Sequence, residues 1–110
     1  MSAAVVPCAS VVTMTATGDI RHLCPFEDEV DYGTISVTWT TNGQTVELHS
    51  MAQWFREFRD VKISHEELTD HIVSELRLMS GLTDVTVTTT WETAGMQINC
   101  TSGDSRSVFG

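Results

Sequence analysis

The side chains with usable chemistry are few, and their order along the chain is informative. Cys24 stands in a proline-bounded loop, Leu23-Cys24-Pro25, and Asp31 follows seven positions on. A free cysteine titrates near ~8.5, so it attacks as a nucleophile only where its surroundings favour the thiolate; a nearby carboxylate can move the protons involved. The competing reading of a lone cysteine is a small, inert core residue. The competing reading of Asp31 is a turn residue ahead of Gly33. Glu47, His65 and Glu66 are the remaining candidates. Glu47 reads equally as an outward strand residue. His65 and Glu66 follow Ser64 at a helix start, where a carboxylate is favourable without any function. Glu27, Asp28 and Glu29 read as a solvated acidic loop, Cys100 as strand packing and Cys8 as part of a leader. The three cysteines match neither a zinc ribbon nor a CxxC pair and are expected to be free thiols. His22, His49 and Cys24 are irregularly spaced and lack a fourth ligand, so no metal is expected.

These side chains have to be held by a short chain. Its 110 residues suffice for one domain, and a domain of that size buries only a moderate share of its surface, which favours oligomerisation. Residues 1–10 read as a flexible leader, 11–101 as the domain and 102–110 as a flexible tail. The hydrophobic share of 41% excludes a disordered chain. No apolar run approaches the ~20 residues of a membrane span. The first ten residues have no basic stretch of the kind that opens a secretion signal, so the expected location is cytoplasmic. A net charge of −9 argues against a broad nucleic-acid footprint while leaving a local contact open.

The periodicity predicts the order β-β-α-α-β-β. Val11–Ile20 is rich in β-branched residues and predicts an irregular first strand. Ile35, Val37 and Trp39 alternate with Ser36, Thr38 and Thr40, and Val46 and Leu48 alternate with Thr45 and Glu47. Asn42-Gly43 between them predicts a hairpin with Trp39 facing Val46 and Val37 facing Leu48. Ser50 with Gln53 predicts one capping box, ahead of Met51, Trp54, Phe55 and Phe58 at helical spacing. These four read as core or subunit interface. Ser64 with Glu67 predicts a second box, ahead of Leu68, Ile72, Leu76 and Met79, with His71 an ordinary helix residue and Gly81 the stop. Val85, Val87, Thr89 and Trp91, then Met96, Ile98 and Cys100, predict two closing strands around a Thr93-Ala94-Gly95 turn.

Cys24, Asp31, Glu47, His65 and Glu66, in that order and on those elements, resemble the QueF family of tunnelling-fold enzymes, over roughly residues 20 to 100. The resemblance implies an α+β tunnelling fold, an antiparallel ββααββ sheet with two helices on one face. It implies action on the nitrile of 7-cyano-7-deazaguanine, either the free base or a nucleic acid carrying it. Cys24 would form a thioimide and Asp31 would shuttle protons. Glu47 would hold the guanine-like edge, and His65 and Glu66 would complete the pocket and assist proton transfer. The family's reductases carry Glu-Ser-Lys-Ser-Leu-Lys after the hairpin and Pro-Arg-Gly-Gly before the last strand. Here those stretches read Glu47-Leu48-His49-Ser50-Met51-Ala52 and Thr93-Ala94-Gly95-Met96, without Lys or Arg. NADPH carries several phosphate charges, so the chain is more similar to the short QueF-like branch that adds ammonia to give an amidine, as in archaeosine formation. No cofactor is then needed; NADPH enters only if the chain is a reductase. A third reading is a non-catalytic deazapurine-binding protein. The family's rings imply a homo-oligomer of two stacked pentamers.

Overall fold

The computed structural model describes residues 3–27, 29–82 and 84–103. Strand β2, Thr13–Leu23, turns through the Cys24 loop into β3, Val30–Thr40, and the pair is antiparallel. After a short strand β4, Gly43–Val46, come helix α1, Leu48–Arg56, a 3-10 turn at Glu57–Asp60 and helix α2, His65–Ser80. Strands β5, Val85–Thr93, and β6, Met96–Gly103, close the chain. The main sheet has the order β2-β3-β5-β6, all antiparallel, and both helices pack on one of its faces.

Alternation makes that face apolar. Ile35, Val37 and Trp39 of β3, with Val85, Val87 and Trp91 of β5, point at the helices and are buried. Leu68, Ile72, Val73 and Leu76 of α2 meet them, each nearly or wholly removed from water and contributing about 1.5–3 kcal/mol. The opposite face is lined by hydroxyls, with Thr15 bonded to Thr38 and Thr88 to Thr101.

The second helix begins and ends as expected. The Ser64 hydroxyl accepts from the Glu67 N–H at 3.1 Å, and Gly81 stops the helix in the left-handed region at φ 69°. The first helix begins three residues earlier than expected. Its cap is Glu47, whose carboxylate accepts from the N–H groups of His49 and Ser50, while the Ser50 hydroxyl donates to the Glu47 carbonyl. Leu48, expected opposite Val37, is therefore helical.

The Asn42-Gly43 hairpin does not form. A two-residue turn of that kind needs positive φ at both central residues, and here Gly43 has it and Asn42 does not. The slot beside β3 belongs to β5, with Val37 opposite Val87 and Trp39 opposite Val85. The chain instead rounds a corner, and β4 pairs with a strand from the expected leader: β1, Val5–Cys8, places Val5 opposite Val46. Thr41 secures the corner, its N–H donating to Val12 O and its hydroxyl to Ser10 O. The ordered unit thus starts at least at Val5, ahead of residue 11. It extends to Gly103, two residues into the expected tail, and the rest of that tail lies outside the described residues. The turn with positive φ at both centres is Ala94 and Gly95, between β5 and β6.

Candidate functional site

Three polar side chains point the same way from one end of the sheet. Met14, Ala16 and Ile20 alternate along the helix-facing side of β2, and His22 continues the series, fully buried. Across the strand pair, His22 lies opposite Asp31 in β3. The third member, His65, arrives on α2. The segment ahead of that helix is sewn to the end of β2, with Leu23 N–H donating to Val61 O and Ile63 N–H to Leu23 O. The first residue of α2 is thereby held against the strand.

The ring atoms are close. His22 Nε2 is 3.0 Å from His65 Nδ1. Asp31 Oδ2 lies 3.8 Å from His22 Nε2 and 3.9 Å from His65 Nε2. Trp91 floors the group, stacked on His65 at 4.5 Å between ring centroids and edge-on to His22 at 4.7 Å. A chain of hydroxyls secures that floor: Trp91 Nε1 donates to Thr89, Thr89 to Thr69, and Thr69 to the His65 carbonyl. The direction is forced, because indole N–H only donates and a carbonyl only accepts. Gly33 lies opposite Trp91, where a Cβ would collide with the Trp91 ring and the Thr90 carbonyl.

Cys24 leaves β2 beside this group. Its N–H donates to Glu29 O at 3.0 Å, which extends the β2–β3 ladder by one rung. Cys24 and Asp31 are therefore diagonal neighbours across the pair, a relation that places Cα atoms roughly 7–8 Å apart. Asp31 is a strand residue, not the turn residue that Gly33 suggested. Asp28 of the acidic loop lies outside the described residues.

Burial, and then the repulsion that two charged rings in contact would feel between His65 and His22, hold His65 below the usual histidine value; Asp31 and then Glu66 pull the other way. Glu66 is exposed one residue along α2, at an open cleft of about 550 Å³ between α2 and β6 that Thr69, Asn99 and Cys100 also line. Burial pushes the Cys100 thiol up, so it is held as a thiol.

Glu47 is elsewhere. It follows β4, beside the Trp39 end of β3, where Trp39 Nε1 donates to Thr45. Asp31 and Trp39 are eight strand residues apart, about 26 Å at 3.3 Å per residue. Hydrogen bonds from the His49 and then the Ser50 backbone hold the Glu47 carboxyl below the usual carboxylate range. His49 contacts Glu47 and is almost fully exposed, so His22, His49 and Cys24 do not assemble. The donors that do converge are His22, Asp31 and His65, within 4.8 Å of one another. The two imidazole nitrogens, His22 Nε2 and His65 Nδ1, are 3.0 Å apart, a hydrogen-bonding distance, with the rings edge to face.

Fold and site together define a small antiparallel α+β domain with a carboxylate and an imidazole pair gathered at one end of its sheet, where Cys24 follows the last residue of β2. The profile of the family described as "QueF-like protein" matches residues 30–106, a span that starts after Cys24 and includes Asp31, Glu47, His65 and Glu66. The NADPH-dependent 7-cyano-7-deazaguanine reductase of Chlorobium luteolum is 34% identical over 77 residues, 70% of this chain and 66% of its own. The same-named protein of Chlorobium phaeovibrioides is 36% identical over an equal span, and that of Prochlorococcus marinus 38% over 53 residues, 48% of this chain and 39% of its own. The chain thus spans just under two thirds of the length of the Chlorobium relatives. Among solved structures, the archaeosine synthase QueF-Like in its apo form superposes with a TM-score of 0.79 at 19% identity, covering 82% of this chain and 90% of the other. The chain belongs to the QueF-like family, and its fold is the tunnelling fold of that structure. Among the described residues no helix is long and apolar enough to cross a membrane.

Proposed function

We propose that the protein acts on the nitrile of a 7-cyano-7-deazaguanine group, free or within a nucleic acid, and adds ammonia to give an amidine. The observation that carries this reading is the convergence of Asp31 and His65 where Cys24 leaves its strand. A nitrile carbon is electrophilic, and attack on it requires a proton at the nitrile nitrogen. Cys24 Sγ bonds to that carbon, and the thiol proton passes through Asp31 to the nitrogen, giving a thioimide. Ammonia then adds to the same carbon, a proton is transferred, and Cys24 leaves as the thiol. The net change is nitrile plus ammonia to amidine, with no oxidant or reductant.

Glu47 holds the guanine-like edge, accepting parallel hydrogen bonds from the ring N–H and the exocyclic amine. Its separation from Cys24 along the sheet favours a site shared by two copies, with Glu47 of one facing Cys24 of the next. Two stacked pentamers supply that arrangement. Glu66, one residue past His65, closes the base pocket.

Reduction is the second reading, favoured by the name of the Chlorobium relatives. NADPH needs cations for its phosphates. The segment after Glu47 offers none, His49 is turned out and Ser50 is tied into the helix cap. Those residues do not fit the cofactor. Incubating the protein with the nitrile, ammonium and NADPH, and following product mass and NADPH absorbance, tests the choice. An amidine with unchanged absorbance is expected; loss of absorbance with an aminomethyl product would establish the reductase.

A further inference from the structure

The polar group at the end of β2 contains a residue to which no role has yet been given. His22 is fully buried, and both of its ring nitrogens are engaged. Nδ1 lies 3.1 Å from the Leu23 carbonyl oxygen. A carbonyl only accepts, so Nδ1 carries the hydrogen, and in neutral His22 the other nitrogen, Nε2, is an acceptor. Nε2 faces His65 Nδ1 at 3.0 Å, which assigns the hydrogen of that contact to His65 Nδ1. A neutral His65 has no second hydrogen, so its Nε2 is bare. That bare nitrogen is the one 3.9 Å from Asp31 Oδ2.

We propose that His22 is a positioning residue that fixes His65 in its Nδ1–H tautomer and so presents a basic Nε2 to Asp31 and to the substrate. The Leu23 carbonyl sets the direction of the relay. The same carbonyl accepts from Ile63 N–H, which joins β2 to the segment leading into α2. One backbone oxygen therefore fixes the His22 tautomer and helps hold His65 within reach of it. Trp91, against both rings, hinders either from turning over. His65 Nε2 and Asp31 Oδ2 are then two acceptors 3.9 Å apart, and the proton either one takes up is supplied by the thiol. This matches a reaction that takes a proton from a thiol and returns it to a nitrogen.

The catalytic part of this inference rests on the nitrile reading; the tautomer does not. Solid-state 15N spectra of the assembled, histidine-labelled protein, with His65 assigned by difference from His65→Gln, read the tautomer without any substrate. The expected wild-type signal is protonated Nδ1 and bare Nε2. In His22→Phe the signal shifts towards Nε2–H, and the rate of covalent adduct formation at Cys24 falls roughly 10- to 100-fold with little change in substrate KM. His22→Gln, which keeps an acceptor, retains the Nδ1–H signal and recovers part of the rate. A wild-type His65 protonated at Nε2, or a His65 signal that His22→Phe leaves unchanged, overturns the inference. A wild-type chain that shows the expected tautomer but forms no adduct would refute the nitrile reading and leave the tautomer assignment standing.

Discussion

At the scale of single residues, the sequence offered Asp31 and His65, which the structure brings together, and missed His22, which joins them. Cys24, Asp31, Glu47, His65 and Glu66 stood out by their order, which resembles that of the QueF family; taken singly, each reads as well as an ordinary loop, strand or helix-start residue. His22 entered only as an unconvincing zinc ligand. The expected first strand stopped at Ile20; carried two residues further, the same alternation turns His22 inward with Met14 and Ala16. Thr89 and Trp91 were read only as residues of a closing strand, because a relay of hydroxyls between distant elements leaves no spacing signal. If Asp31 moves the protons, Asp31→Asn lowers the rate of thioimide formation by about 10²–10⁴-fold, which a stopped-flow mass or absorbance trace would measure. His65 also sets a pH trend. Its folded value lies below the ordinary 6.5, so the unfolded chain takes up this proton first as pH falls. Stability is then lost from about pH 6.5 downward and levels off below the folded value. Replacing His65 with Gln removes that part of the acid dependence in urea melts repeated across pH.

At the scale of elements, the second helix and the last two strands were legible because each carried local punctuation, Ser64, Gly81 and Gly95. The Asn42-Gly43 hairpin was not, because its failure is a tertiary effect: β5 takes the edge of β3 that the hairpin would have used. The leader looked loose because a four-residue strand has little pattern of its own, and its partner β4 is as short. Ala94 occupies a left-handed position at φ 53°, which costs an L residue about 1 kcal/mol. Ala94→Gly should recover part of that cost, and Ala94→Asn should also raise the melting temperature, each by a few degrees. Gly33→Ala tests the floor of the site. With Trp91 displaced, the protein should melt at lower temperature and lose adduct formation together.

At the scale of the whole molecule, among the described residues the main sheet leaves the outer edges of β2 and β6 unpaired, except where the segment around Lys62 covers the end of β2. Unpaired edges favour joining copies side by side. If Glu47, at the far end of the sheet, holds the base, that joining completes the site. Cys24→Ala and Glu47→Gln chains, each inactive alone, should regain activity when unfolded and reassembled together. Roughly a quarter of sites in a random mixture draw both wild-type residues from adjacent copies. No recovery would mean that each chain builds its whole site.

Whether Cys24 bonds to a nitrile carbon can be read from intact-mass spectrometry after exposure to 7-cyano-7-deazaguanine without ammonium. A gain equal to the whole mass of the nitrile is expected, absent in Cys24→Ala and discharged to an amidine when ammonium is added. An unmodified wild-type chain under conditions where the nitrile binds, or an adduct that persists in Cys24→Ala, would contradict it.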